Sequence, residues 1–134
     1  MPDAPLRFAG YAGLFDLADA DQDTIRKGAF ATTLSNRQAP IPLLWQHRPH
    51  EPIGVIERIY EDARGLAVIG RIDKLQSRAA ALLQSGEVDG LSFGYRAREA
   101  QTTSAGRELL GIDLFEVSLV TQPLQHGARV HLVT

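Results

Sequence analysis

Apolar residues in this 134-residue chain fall in short runs broken by polar turns, the rhythm of a protein built mainly from strands. Leu6 to Phe15 is small and apolar with Gly10 and Gly13 inside it, which predicts a strand bent or bulged at one glycine. Leu17 to Asp23 reads as an acidic loop, and a short helical turn is expected around Gly28 to Leu34. Ile41 to Gln46 is a short apolar run beside Pro40 and Pro42, consistent with a buried strand, and His47 to Pro52 is a turn with two prolines. Ile53 to Tyr60 and Gly65 to Ile72, joined by Glu61–Arg64, predict a hairpin. Leu75, Ala79, Leu82 and Leu83 share one helical face, with Asp73 near the start and Gly86 just past the end. Val88 to Ala97 is a strand and Gln101 to Gly106 a polar turn. Glu108 to Thr121 holds one long strand, or two with a break near Gly111, and Ala128 to Val133 closes the series.

Six or seven short strands, one clear helix and closely spaced turns predict a mainly β protein with helices (α+β), a small closed β-barrel with helical decoration. The length suits one domain, residues 1–134, with a core of its own. A formal net charge of −2 gives no electrostatic case for a nucleic-acid partner or an anionic membrane. Cysteine is absent, which removes disulfides, thiolate metal ligands and cysteine catalysis. The N-terminal MPDAPLRFAG lacks the apolar stretch of a signal peptide, and no run is long enough for a helical membrane span. A cytoplasmic protein is the simplest expectation.

Three phrases carry candidate chemistry. In Gly90–Tyr95, alternation sets Leu91, Phe93 and Tyr95 on one face and Ser92 and Gly94 on the other, a hydroxyl beside a residue with no side chain. In Phe115–Val120, Phe115, Val117 and Leu119 take one face and Glu116 and Ser118 the other. A carboxylate in so apolar a strand needs a partner, a histidine or an arginine such as Arg96. His47 follows the apolar Leu43–Gln46. Together Ser92, His47 and Glu116 offer a nucleophile, a base and an orienting acid. Each also has an ordinary reading: a strand serine bonded to backbone, a glutamate facing water, a structural histidine. His126 or His131 would serve equally as the third member.

Other constellations are weaker. His47, His50 and Glu51 resemble a metal-ligand spacing, but Pro49 breaks the helix such motifs require. Asp19, Asp21 and Asp23 mimic the start of a calcium loop, with Thr24 and Phe30 where glycine and glutamate belong. Gly90–Gly94 matches the letters of a hydrolase nucleophile elbow, but in a strand pattern rather than a strand-to-helix turn.

The ordered series GYAGLFD, DTIRKGAF, LLWQH, IGVIE, GLAVIGRI, SGEVDGLSFGY and LFEVSLVTQPLQHGA resembles the head-maturation (prohead) proteases of tailed bacteriophages and gene-transfer agents, from about Phe8 to Val130. Members are serine peptidases related in fold to the herpesvirus assembly proteases. The resemblance implies a compact barrel, with His47, Ser92 and Glu116 at the family's catalytic positions and a Ser92–Glu116 interval close to that of the herpesvirus enzymes. It implies a serine endopeptidase that cuts the major capsid protein or its scaffold segment, and itself, inside assembling procapsids in the bacterial cytoplasm. No cofactor or metal is needed, and a homodimer is possible. By analogy the oxyanion donors lie in Thr121–Arg129, supported by Arg129 or Gln122. The same resemblance fits a catalytically inactive scaffold or adaptor, which would be expected to lack one of the three residues. Two positions depart from the family: Arg48 stands where an acidic residue is usual, and Pro123–Ala128 replaces its common final motif. The chain is also short for the family, as trimmed termini or self-processing would leave it.

Overall fold

A computed structural model describes residues 4–134. Eight strands and two helices follow one another: β1 (Leu6–Leu14), β2 (Asp23–Ile25), α1 (Ala31–Ser35), β3 (Ile41–Trp45), β4 (Pro52–Glu61), β5 (Gly65–Ile72), α2 (Arg78–Ser85), β6 (Gly90–Thr103), β7 (Gly106–Val120) and β8 (Val130–Val133). The mainly β architecture with helices is as expected, with one strand more than foreseen.

The strands form one curled, half-barrel sheet. Its order runs β7, β3, β4, β5, β1, β8, with β6 on β7's other edge. β2 and β3 share an edge of β7 and both run parallel to it, β2 beside Arg107–Leu109 and β3 beside Val117–Leu119. The curl brings its ends together through the segment before β8. Leu91 N–H donates to Ala128 O and Val130 N–H to Asp89 O, around an isolated bridge between Gly90 and Arg129. The interior is filled by Phe8, Leu43, Leu66, Ile72, Leu91, Ile112, Val117 and Leu119, all nearly or fully excluded from solvent. Each such side chain contributes about 1.5–3 kcal/mol, which explains why alternating apolar runs became strands curled around one core.

Several sequence expectations are corrected. β2 begins where the acidic segment ends, because Asp23 is buried in a two-pronged ion pair with Arg107 and Asp19 caps the turn by accepting from the N–H groups of Asp21 and Asp23. The expected 101–106 turn is shorter: β6 continues to Thr103 and pairs with Gly106. α2 starts later, with Ser77 as its cap accepting from Ala80 N–H, while Asp73 is held by Arg71. It ends at Gly86 as expected, at φ 79°, a left-handed conformation glycine takes without strain.

The largest departure is Phe115, expected on one face with Val117 and Leu119; those two are buried and Phe115 is 56% exposed. Gly94 pairs with Glu116 and the next residue, Tyr95, pairs with Leu114, so Phe115 is an extra residue bulged out of β7. The bulge lets Leu114 and Val117 both reach the interior while Glu116 takes the face opposite Val117.

Candidate active site

β3 ends in a strained turn. Gln46 and His47 both have positive φ, 53° and 59°. The left-handed region costs a non-glycine residue roughly 1–2 kcal/mol, so such a pair persists only where its surroundings hold it. Here the end of β7 holds it. Gln46 N–H donates to Leu119 O at 3.0 Å; its side-chain oxygen accepts from Thr121 N–H at 3.1 Å, and its side-chain nitrogen donates to Thr121 Oγ1 at 3.2 Å. His47 N–H donates to Ser118 Oγ at 3.0 Å.

This turn sets the imidazole over β7. His47 Nδ1 meets Glu116 Oε1 at 2.5 Å, and Ser118 Oγ donates to Glu116 Oε2 at 2.6 Å. The hydrogen bond that His47 gives to Glu116 raises the pKa of His47 above its ordinary value, against the opposing effect of partial burial. The ring is half open to solvent, whereas Glu116 and Ser118 are buried.

The β6–β7 register places the remaining member. Ser92 lies directly opposite Ser118, and Gly94 opposite Glu116. Directly opposed residues project to the same face, so Ser92, Gly94, Glu116 and Ser118 share one side of the ribbon. Gly94 is required there: a β-carbon on it would collide with the Glu116 carboxylate. Ser92 makes no side-chain hydrogen bond among the described residues; the ring's partner is Glu116, and its other nitrogen has none.

The alternatives are engaged elsewhere. His126 Nδ1 accepts from Arg129, and His131 packs edge-on against Tyr11 with ring centres 6.0 Å apart. Arg96 pairs with Asp113, not Glu116. Glu51 pairs with Arg48. Among the described residues no cluster of three or more His, Asp or Glu is arranged to hold a metal, and no helix is long and apolar enough to cross a membrane. The Thr121–Arg129 loop adjoins the start of β6, where Arg129 donates to Asp89 and to His126 O. The clamp by Gln46 and the bonding of Ser118 were not read from the sequence. Ser118 carried a signal, its shared face with Glu116; Gln46 carried none.

Comparison with known proteins bears on the family and the fold. The chain is 34% identical to the prohead protease of Enterobacteria phage HK97, over 92% of its own length and 58% of the relative's. It is 33% identical to part of the capsid polyprotein of Pseudomonas phage PAJU2, over 68% of this chain and 15% of that one. Its fold matches a Kaposi's sarcoma-associated herpesvirus protease with a TM-score of 0.69 at 16% identity, covering 98% of this chain and 65% of that one. It matches the capsid assembly protease of bacteriophage T4 with a TM-score of 0.66 at 16% identity, covering 87% and 81%. The caudovirus prohead serine protease family matches residues 3–134, nearly the whole sequence, and the chain belongs to that family.

Proposed function

We propose that this chain is a serine endopeptidase that cuts capsid or scaffold protein, and itself, inside assembling procapsids. The observation that carries the reading is the His47–Glu116 hydrogen bond on the face of the β6–β7 ribbon that also bears Ser92. Ser92 Oγ attacks the scissile carbonyl. With Nδ1 committed to Glu116, Nε2 of His47 takes the serine proton and returns it to the leaving amine. Glu116 fixes the tautomer and stabilises the imidazolium. The developing oxyanion is received by backbone N–H groups of the Thr121–Arg129 loop beside β6, the family analogy supplying that placement.

The capsid substrate is supported by the HK97 relative, named a prohead protease, and by the PAJU2 relative, itself a capsid polyprotein. Confinement with substrate in a closed shell raises effective concentration, so modest intrinsic turnover suffices. A self-association step fits the herpesvirus likeness, one of whose solved structures holds a dimer disruptor. Presence of all three of His47, Ser92 and Glu116 favours an enzyme over an inactive scaffold. Co-expression with the cognate major capsid protein tests the reading: its mass should drop by a discrete segment when Ser92 is intact and stay full-length with Ser92→Ala. A full-length capsid protein in both cases would overturn it.

Acid should silence the enzyme, since the general base works as neutral imidazole. kcat/KM is expected to rise with pH along a one-proton limb centred above about 6.5, because Glu116 raises the pKa of His47. Stability runs the other way. A raised pKa means that the folded state holds the proton more tightly, so this pair stabilises fully below the unfolded value and less as pH climbs through the folded one. A peptide-cleavage pH profile centred at or below the ordinary histidine value would contradict the coupling.

A further inference from the structure

We propose that Ser118 is a positioning residue whose buried hydroxyl locks Glu116 onto His47. This rests on the catalytic reading of that pair. The Ser118 side chain is fully buried, in a strand whose neighbours Val117, Leu119 and Val120 are all apolar. A hydroxyl is an expensive occupant of such a site unless fully bonded, and an apolar residue would pack there without that cost. Both of its bonds go to the same two residues. Its single proton is donated to Glu116 Oε2, and its oxygen accepts from His47 N–H. With the His47 Nδ1–Glu116 Oε1 bond these contacts close a ring: His47 backbone, Ser118, Glu116, His47 imidazole.

The ring removes two freedoms. A glutamate has three rotatable side-chain bonds, and one hydrogen bond to one oxygen leaves the carboxylate free to swing. Bonding the second oxygen to a group fixed in the strand stops that motion. The left-handed His47 backbone also needs an acceptor for its N–H, and Ser118 supplies it. The same facts exclude Ser118 as a nucleophile, since its proton is committed and its oxygen is out of solvent. Glu116 is the one charged group that shifts the titration of His47; Arg48 and Glu51 of the same turn pair with each other.

The test uses Ser118→Ala and Ser118→Thr in two backgrounds, the parent and Ser92→Ala. In the parent, Ser118→Ala should lower kcat/KM about tenfold, the size expected for a lost hydrogen bond to a charged group, mainly through kcat. In the Ser92→Ala background, NMR titration of the His47 ring should show its midpoint moving down toward the ordinary value. Ser118→Thr, which keeps the hydroxyl, should restore most of both. Ser118→Cys, similar in volume with a weak donor, carries the same expectation if the alanine variant does not fold. A folded variant with a lowered Tm but the parent's His47 titration and pH limb would overturn the proposal and leave Ser118 merely structural. The triad reading fails separately, through cleavage at the parent rate by Ser92→Ala itself.

Discussion

Ser92→Ala is expected to lose cleavage by a factor on the order of a thousand or more while folding normally. In the proposed mechanism the Ser92 hydroxyl is the attacking group, and Ser118 does not replace it, being buried with its proton given to Glu116. The fold has little stake in Ser92, whose side chain bonds no other group among the described residues, so stability should shift by about 1 kcal/mol or less. Purified variant and parent, compared on the cognate capsid protein and by thermal melting, give both numbers. Cleavage at the parent rate would remove Ser92 from the mechanism.

Glu116→Gln should cost less, on the order of a hundredfold, because a third member orients and stabilises rather than reacts. The amide keeps the shape and can still bond His47 and Ser118, but it carries no charge to stabilise an imidazolium. It can also present its NH₂ to Nδ1 and favour the wrong tautomer. The acid limb should move to lower pH, since the hydrogen bond to the Glu116 carboxylate is what raises the pKa of His47. An ion-pair role with Arg96 is already removed, because Arg96 binds Asp113. A lowered Tm with unchanged turnover would assign Glu116 to structure alone.

The fold was legible where side-chain periodicity and turn chemistry agree. The β4–β5 hairpin, the apolar face of α2 and its Gly86 terminus all follow from local rules. β2 was hidden because a strand of three residues, starting at the end of the acidic segment, carries no periodicity; distant Arg107 makes Asp23 part of a strand. The far end of the β6–β7 hairpin was hidden for the opposite reason. Its β6 residues from Arg98 on are largely exposed, so the ribbon continues on backbone bonds with no apolar pattern to announce it. Phe115 was misassigned because a bulge is decided by the partner strand's register, not by the strand that carries it.

At the site, alternation correctly paired Ser92 with Gly94 and Glu116 with Ser118 on shared faces, and the apolar Leu43–Gln46 run singled out His47 behind it. The left-handed turn at Gln46–His47 could not be foreseen, since positive φ is uncommon for any non-glycine residue and two in succession are rarer still. It exists because the end of β7 supplies Leu119 O, Ser118 Oγ and Thr121 as anchors, groups about seventy residues away in sequence.

That distance has a consequence for timing. The parallel alignment of Leu43–Trp45 with Val117–Leu119 is what brings base and acid together, and it closes a long loop of chain. Pairings of this kind pay their entropy before they return any contact energy, so they form late in folding. In the proposed mechanism, a growing chain that has emerged only through Ser92 has its nucleophile and base but neither the acid nor the strand that anchors the base's turn. On that mechanism, competence to cut waits until β7 has been made and has paired with β3.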